Sequence, residues 1–233
     1  MTTPNTPPEA RATRVTDDET EAAFHTRRLL AYRDDGPIAV GLGRLAHGQL
    51  PPLPPLIVAV VVTLVLLLAG VGGQTSLVLL APVLALLPAG PGSTHPHTGR
   101  LDWGAPIVIR LIEYGYLATV GFSHAVPKPL VYVLLGVLAF HHYDTVYRTR
   151  QRLWPAARVF GAGLGWDGRM LIAGIAAIAH IASLIYVVLT VYLGILFVAE
   201  SVHTWIRADR RGVVVDLEEE DVADVAPPEV YDA

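Results

Sequence analysis

The chain has 233 residues, a formal net charge of −4 and no cysteine. Only 16% of it is charged and 52% is hydrophobic, against about 25% charged in a soluble domain. That balance speaks against an ordinary soluble protein and against a nucleic-acid binder, and the absent thiols exclude disulfides, thiolate metal sites and cysteine nucleophiles.

Charge gathers at the two ends, and the acidic excess lies mostly in Asp216–Ala233. Met1–Thr16 is rich in Pro and Thr and has no apolar run. It reads as disordered, with no cleavable signal peptide. Asp17–Asp34 places Phe24, Leu29, Leu30 and Tyr32 among Arg27, Arg28 and Arg33. This predicts a short amphipathic helix, lying on a membrane surface or solvated. Residues 1–50 form a cytoplasmic N-terminal segment on this reading.

A membrane crossing needs about 20 mostly apolar residues. Leu56–Val71, Thr75–Leu87, Gly104–Phe122 and Pro129–Phe140 are candidates. Met170–Trp205 is almost uncharged and would reach roughly 50 Å as one helix, so a turn is expected near His180–Ser183. The predicted fold class is all-α: a polytopic membrane helical bundle of about six spans over residues 51–207, with an acidic disordered tail over residues 208–233. Arg148, Arg150, Arg152, Arg158 and Arg169 lie between the fourth and fifth spans, and Arg207, Arg210 and Arg211 follow the last. Six spans with both termini cytoplasmic put these arginines inside, as the positive-inside rule requires.

Three clusters can carry chemistry. Arg110 and Glu113 stand three apart on one helix face, with Tyr114 beside them. Charges at membrane depth are costly and usually functional, or they pin helices together as an ion pair. Asp102 precedes this helix. The second cluster is His141-His142-Tyr143-Asp144, followed by Tyr147-Arg148. Asp144 is a candidate magnesium ligand, Arg148 a phosphate ligand, and the histidines proton carriers. An interfacial aromatic belt would equally explain Tyr147 and the histidines. The third cluster is Gly163-Leu164-Gly165-Trp166-Asp167-Gly168-Arg169. Glycines permit close backbone approach to a ligand, with Asp167 for a metal and Arg169 for phosphate. Simple helix capping also accounts for Asp167. His180 and Glu200 read as a packed histidine and an interfacial acid.

At these strings, together with Asp34-Asp35-Gly36-Pro37, the chain resembles an actinobacterial integral membrane domain of unknown function. The resemblance covers roughly residues 30–207. In that family the domain often follows a CDP-alcohol phosphatidyltransferase module, which implies a role beside phospholipid or lipid-linked headgroup synthesis. The chain itself lacks that module's Asp-x-x-Asp-Gly-x-x-Ala-Arg string, since Asp167-Gly168-Arg169 matches only a fragment.

The expected activity is a membrane enzyme acting on a phosphate- or diphosphate-bearing lipid at the cytoplasmic face. Glu113, Asp144 and Asp167 would be catalytic, the last two holding Mg2+. Arg110, Tyr114, His142, Tyr147, Arg148, Trp166 and Arg169 would bind substrate. Isoprenyl-diphosphate cyclisation or prenyl transfer is an alternative. Another is a non-catalytic membrane partner of a phosphatidyltransferase-type synthase. No internal repeat or pair of matching broken helices suggests a transporter.

Overall fold

The computed structural model describes residues 8–71 and 78–210, and these form helices and turns with no strand among them. The first two helices are α1 (Pro8–Arg33) and α2 (Pro37–Leu45), followed by α3 (Leu53–Val71) and α4 (Ala81–Ala89). A 3-10 turn (Gly90–Thr94) leads to α5 (Gly104–Ser123) and α6 (Lys128–Arg150). The short α7 (Ala157–Ala162), α8 (Gly165–Ile178) and α9 (Ala182–Asp209) complete the described residues.

Four helices, α3, α5, α6 and α9, are long and apolar enough to cross a membrane. The apolar runs of the sequence account for them. α8 has 14 residues and α4 has nine. At about 1.5 Å per residue neither alone matches a hydrocarbon core of roughly 30 Å. Pro82 at the start of α4 and Pro88 inside it limit that helix. The long run Met170–Trp205 does break as expected, at a turn in which His180 takes φ +57°.

α1 begins at Pro8, so helix extends into the segment expected to be disordered. Residues 1–7 and the acidic tail over Asp216–Ala233 lie outside the described residues. So does the N-terminal part of the crossing expected from Thr75.

α5 is the central helix, packed against α1, α3, α6 and α8. Ile109, Ile112, Tyr116, Leu117 and Val120 on its inner faces are buried. From α9, Tyr186 crosses the core and donates its hydroxyl to the Leu117 carbonyl at 2.6 Å. This satisfies a buried polar group that would otherwise be costly. The outer faces of α3 and α9 instead expose large aliphatics, including Leu64, Leu68, Val188 and Ile195. An apolar exterior around a helical core is the arrangement suited to lipid rather than water. The polar side chains are gathered at one end, where α1 and α2 meet α5, α6 and α8.

Candidate functional site

The site is built on the corner between α1 and α2. Asp34 takes φ +49° there, a left-handed conformation that Asp tolerates better than most residues. The corner then crosses the Gly165-Trp166-Asp167 start of α8. The Trp166 backbone N–H donates to the Asp34 carbonyl at 3.1 Å. The Trp166 indole N–H donates to Asp35 Oδ1 at 2.8 Å. Asp167 receives N–H groups from Gly36 (2.6 Å), Ile38 (3.1 Å) and Ala39 (3.1 Å). It thus caps the N-terminus of α2 from a distant part of the chain, satisfying donors that have no partner inside their own helix. Trp166 is fully buried.

Inside this corner lies a chain of buried ion pairs. Arg169 joins two acids, with Nε 2.6 Å from Glu113 Oε1 and Nη2 2.6 Å from Asp34 Oδ2. Its Nη1 donates to the Gly163 carbonyl at 2.9 Å. Arg110 pairs with the other oxygen of Glu113, as their spacing predicts. It also donates to His142 Nε2 at 2.6 Å and to the carbonyls of Tyr32 and Arg33. Those carbonyls are the open C-terminal end of α1, where a cation is favoured. The Tyr114 hydroxyl lies 2.6 Å from His142 Nδ1. Arg33, fully buried, clamps Asp35 through Nε at 2.6 Å and reaches the Ala89 carbonyl at 3.3 Å.

Burial alone would raise the Asp34 carboxyl. Arg169, with His141 and His142, outweighs it and holds the group well below the usual carboxylate range. Asp34 is therefore ionised at neutral pH.

A second cluster joins α6 to α9. Arg148 grips Glu200 with two nitrogens, at 2.8 and 2.6 Å, a fork geometry that lysine cannot supply. Its Nε lies 2.8 Å from Asp144 Oδ2. That contact is close enough for an ion pair, but its angle falls outside hydrogen-bond geometry. Ser201 donates to the other Asp144 oxygen at 3.0 Å.

The predicted site residues thus separate. Glu113, Arg110, Arg169, Tyr114 and His142 come together, with Trp166 and Asp167 at the adjoining crossing. Asp144 and Arg148 belong to the α6–α9 cluster. Tyr147 is 47% exposed and stacks beside Tyr143 on the outer face, near Trp205. Asp144 and Asp167, both expected to hold Mg2+, stand in separate clusters with separate partners. Among the described residues, the one acid and histidine group spaced to hold a metal is Asp34, His141 and His142, whose ligand atoms lie within 4.8 Å of one another. Sequence reasoning gives Asp34 no role of its own and reads Glu200 only as an interfacial acid. The strongest signal for Asp34 was its place in the Asp34-Asp35-Gly36-Pro37 string.

Below the corner, the loop before α5 holds His97, which is fully buried. Its Nδ1 lies 2.7 Å from the His95 carbonyl, and His25 of α1 contacts the His97 carbonyl at 3.3 Å. Burial first, and the nearby Arg33 second, push the His97 imidazole below its ordinary value, while Asp102 and Asp35 act the other way. The unfolded chain therefore binds this proton first as pH falls. The contribution of His97 to stability is complete above its unfolded value near 6.5 and is lost as pH drops through the folded value. Wild type should lose more thermal stability between pH 7.5 and pH 5.5 than His97→Asn, measured by tryptophan fluorescence in nanodiscs. Equal losses would show that His97 is not the acid-sensitive group.

Over residues 23–221 the chain matches a family of unknown function, DUF5941, and it belongs to that family. Neither the curated proteins nor the solved structures contain a match.

Proposed function

We propose that this protein is an integral membrane enzyme that takes a phosphate- or diphosphate-bearing lipid at the cytoplasmic face. The supporting observation is a cleft of about 780 Å³ between the loop after α6, α7 and the C-terminal half of α9. Such a volume is in the usual range for a small-molecule site, roughly 300–1,000 Å³. The exposed Arg152, His203 and Arg207 line the cleft together with apolar side chains, among them Val159 and Leu196.

The acid in its wall, Glu200, is paired from behind with Arg148, which it shares with Asp144. Among the described residues Arg152 and Arg207 make no ion pair, so the lining is cationic. A cationic lining with apolar side chains beside it suits an anionic headgroup with hydrocarbon chains. In this reading Arg152 and Arg207 hold phosphate oxygens. His203 and Glu200 are placed to move a proton at the headgroup, and Asp144 and Arg148 position Glu200. Arg148 and Arg169 are already committed to carboxylates, so phosphate recognition passes to the cleft arginines.

The orientation follows from charge. Placing the Arg-rich segments inside puts the cleft at the cytoplasmic interface and both termini in the cytoplasm. Six crossings then require α4 and α8 each to cross together with the chain that flanks it, beside the four long helices.

The test is phosphorus-31 NMR of nanodisc-embedded protein with a CDP-alcohol, a phosphatidyl-headgroup phosphate and isoprenyl diphosphates. A new phosphate, pyrophosphate or CMP resonance should form, and the Arg152→Ala/Arg207→Ala variant should lose it by at least about tenfold, as one lost charged contact is worth roughly 1.5–3 kcal/mol. Turnover unchanged in that variant would reject the cleft as the site. No turnover and no retention of these lipids would reject the enzyme reading.

A further inference from the structure

At the α1–α2 corner, away from the lipid cleft, two members of the ion-pair network, Asp34 and His142, stand beside His141. His141 makes no hydrogen bond among the described residues, yet it is buried, and its ring is held parallel to Phe197 at 3.7 Å between centroids. Facing it is Asp34 Oδ1, a buried carboxylate oxygen with no hydrogen-bond partner. His141 Nε2 and this oxygen lie 3.8 Å apart, too far for a hydrogen bond. Two oriented, uncommitted donor atoms thus face each other across a gap that neither fills.

The gap has a recognisable size. With Zn–N and Zn–O bonds of about 2.0–2.2 Å, two ligands of a tetrahedral ion lie roughly 3.3–3.6 Å apart, so the 3.8 Å pair, in a group whose ligand atoms lie within 4.8 Å of one another, has to draw together slightly around an ion. His142 Nε2 supplies a third donor, 3.3 Å from the other Asp34 oxygen. The opposite nitrogen of His142 contacts the Tyr114 hydroxyl at 2.6 Å. A metal-bound histidine normally has such a partner, because fixing the proton on the far nitrogen leaves the near one free to ligate. A packed ring and an anchored ring therefore present nitrogens toward one carboxylate.

We propose that Asp34, His141 and His142 form a binding site for a divalent first-row transition-metal ion, with zinc the best match to the donors. Two imidazoles and one carboxylate suit such an ion better than magnesium or calcium, which prefer all-oxygen shells. Three protein ligands leave a position open for an exogenous oxygen.

The surrounding charges set what that oxygen must be. Arg33, Arg110 and Arg169 balance Asp34, Asp35 and Glu113, and Asp167 adds one further carboxylate at the corner, so the ion brings at least one uncompensated positive charge into a buried place. An anionic oxygen, from hydroxide or a phosphate, neutralises part of that charge. Binding also displaces Arg110 from His142 Nε2. Arg110 keeps its pair with Glu113 and its contacts to the end of α1. This inference does not depend on the lipid cleft and would survive its failure.

The experiment uses the full chain in nanodiscs, with the purification tag removed and metals stripped by a chelator. Co2+ is titrated as a spectroscopic substitute and Zn2+ uptake is measured by elemental mass spectrometry. One ion per chain is expected, with visible cobalt absorption of a nitrogen- and oxygen-ligated site and a Zn2+-dependent rise in melting temperature. His141→Leu removes a ligand without breaking a hydrogen bond and should weaken binding by about 100-fold or more. Tyr114→Phe touches no ligand atom and should weaken it by about 10–100-fold, the usual effect of losing such a partner. His203→Leu, in the cleft, should bind as wild type does. Metal-free melting temperatures establish that each variant is folded. Failure of the stripped wild type to take up either ion would overturn the proposal. So would wild-type affinity in both His141→Leu and Tyr114→Phe.

Discussion

Arg169→Met should destabilise the protein more than any other single side-chain exchange in the polar corner. The guanidinium is fully buried and joins Glu113 and Asp34 at 2.6 Å each. Removing one partner of a buried pair costs about 3–5 kcal/mol, because the remaining charge is left without compensation. Here two carboxylates lose their common partner. Arg110 still serves Glu113, but Asp34 retains only a distant contact to Arg110, at 3.9 Å, and the two histidines. The melting temperature in nanodiscs should fall sharply, and a protease should gain access to the α1–α2 corner. Arg169→Lys should not rescue it, since one ammonium cannot present the two-sided fork. Adding Glu113→Gln to Arg169→Met should recover part of the loss, because the double variant leaves one fewer buried charge. An unchanged melting temperature in Arg169→Met would show that these pairs contribute specificity alone.

The sequence was most legible where the signal is local. Leu56–Val71 and the run Met170–Trp205 declare themselves by continuous apolarity, and so α3, α8 and α9 were expected, including the turn at His180. Arg110 with Glu113, and Asp144 with Arg148, were visible as pairs because helical spacing alone brings them together. Partners far apart in the chain were not visible. Asp34 meets Arg169 across 135 residues, and Arg148 meets Glu200 across 52. No periodicity encodes such meetings. Glu200 therefore resembled an interfacial acid, and Arg169 a free phosphate ligand. The glycine-rich string that opens α8 carries two readings. Glycines that let a backbone approach a ligand equally let it approach another backbone, and the residues themselves do not distinguish the two.

That second meaning of glycine carries the other large effect. Gly165→Ala should separate the α1–α2 corner from α8. Gly165 has φ +62°, and a Cβ added there would collide with the backbone N and Cα of Gly36. The left-handed conformation alone costs a side-chain-bearing residue about 1–2 kcal/mol. The collision adds to this, because its target is backbone rather than a movable side chain. Gly36 cannot yield easily, since a Cβ on it would in turn strike Asp167 Oδ1 and the Leu164 carbonyl. Relief therefore requires the two chain segments to part. This would cost the Asp167 cap on α2, the Trp166 bond to Asp35 and the alignment of Arg169 with Asp34. Hydrogen exchange of residues 34–39 should rise together with a drop in melting temperature. Gly136→Ala is the matched control: it lies within α6, and an added Cβ has nothing within 4 Å. Its expected effect is neutral to a gain of about 0.5–1 kcal/mol, as for glycine replaced inside a helix. If Gly165→Ala kept wild-type protection at residues 34–39, the crossing would have to be looser than these contacts require. The glycine string would then regain its reading as a ligand loop.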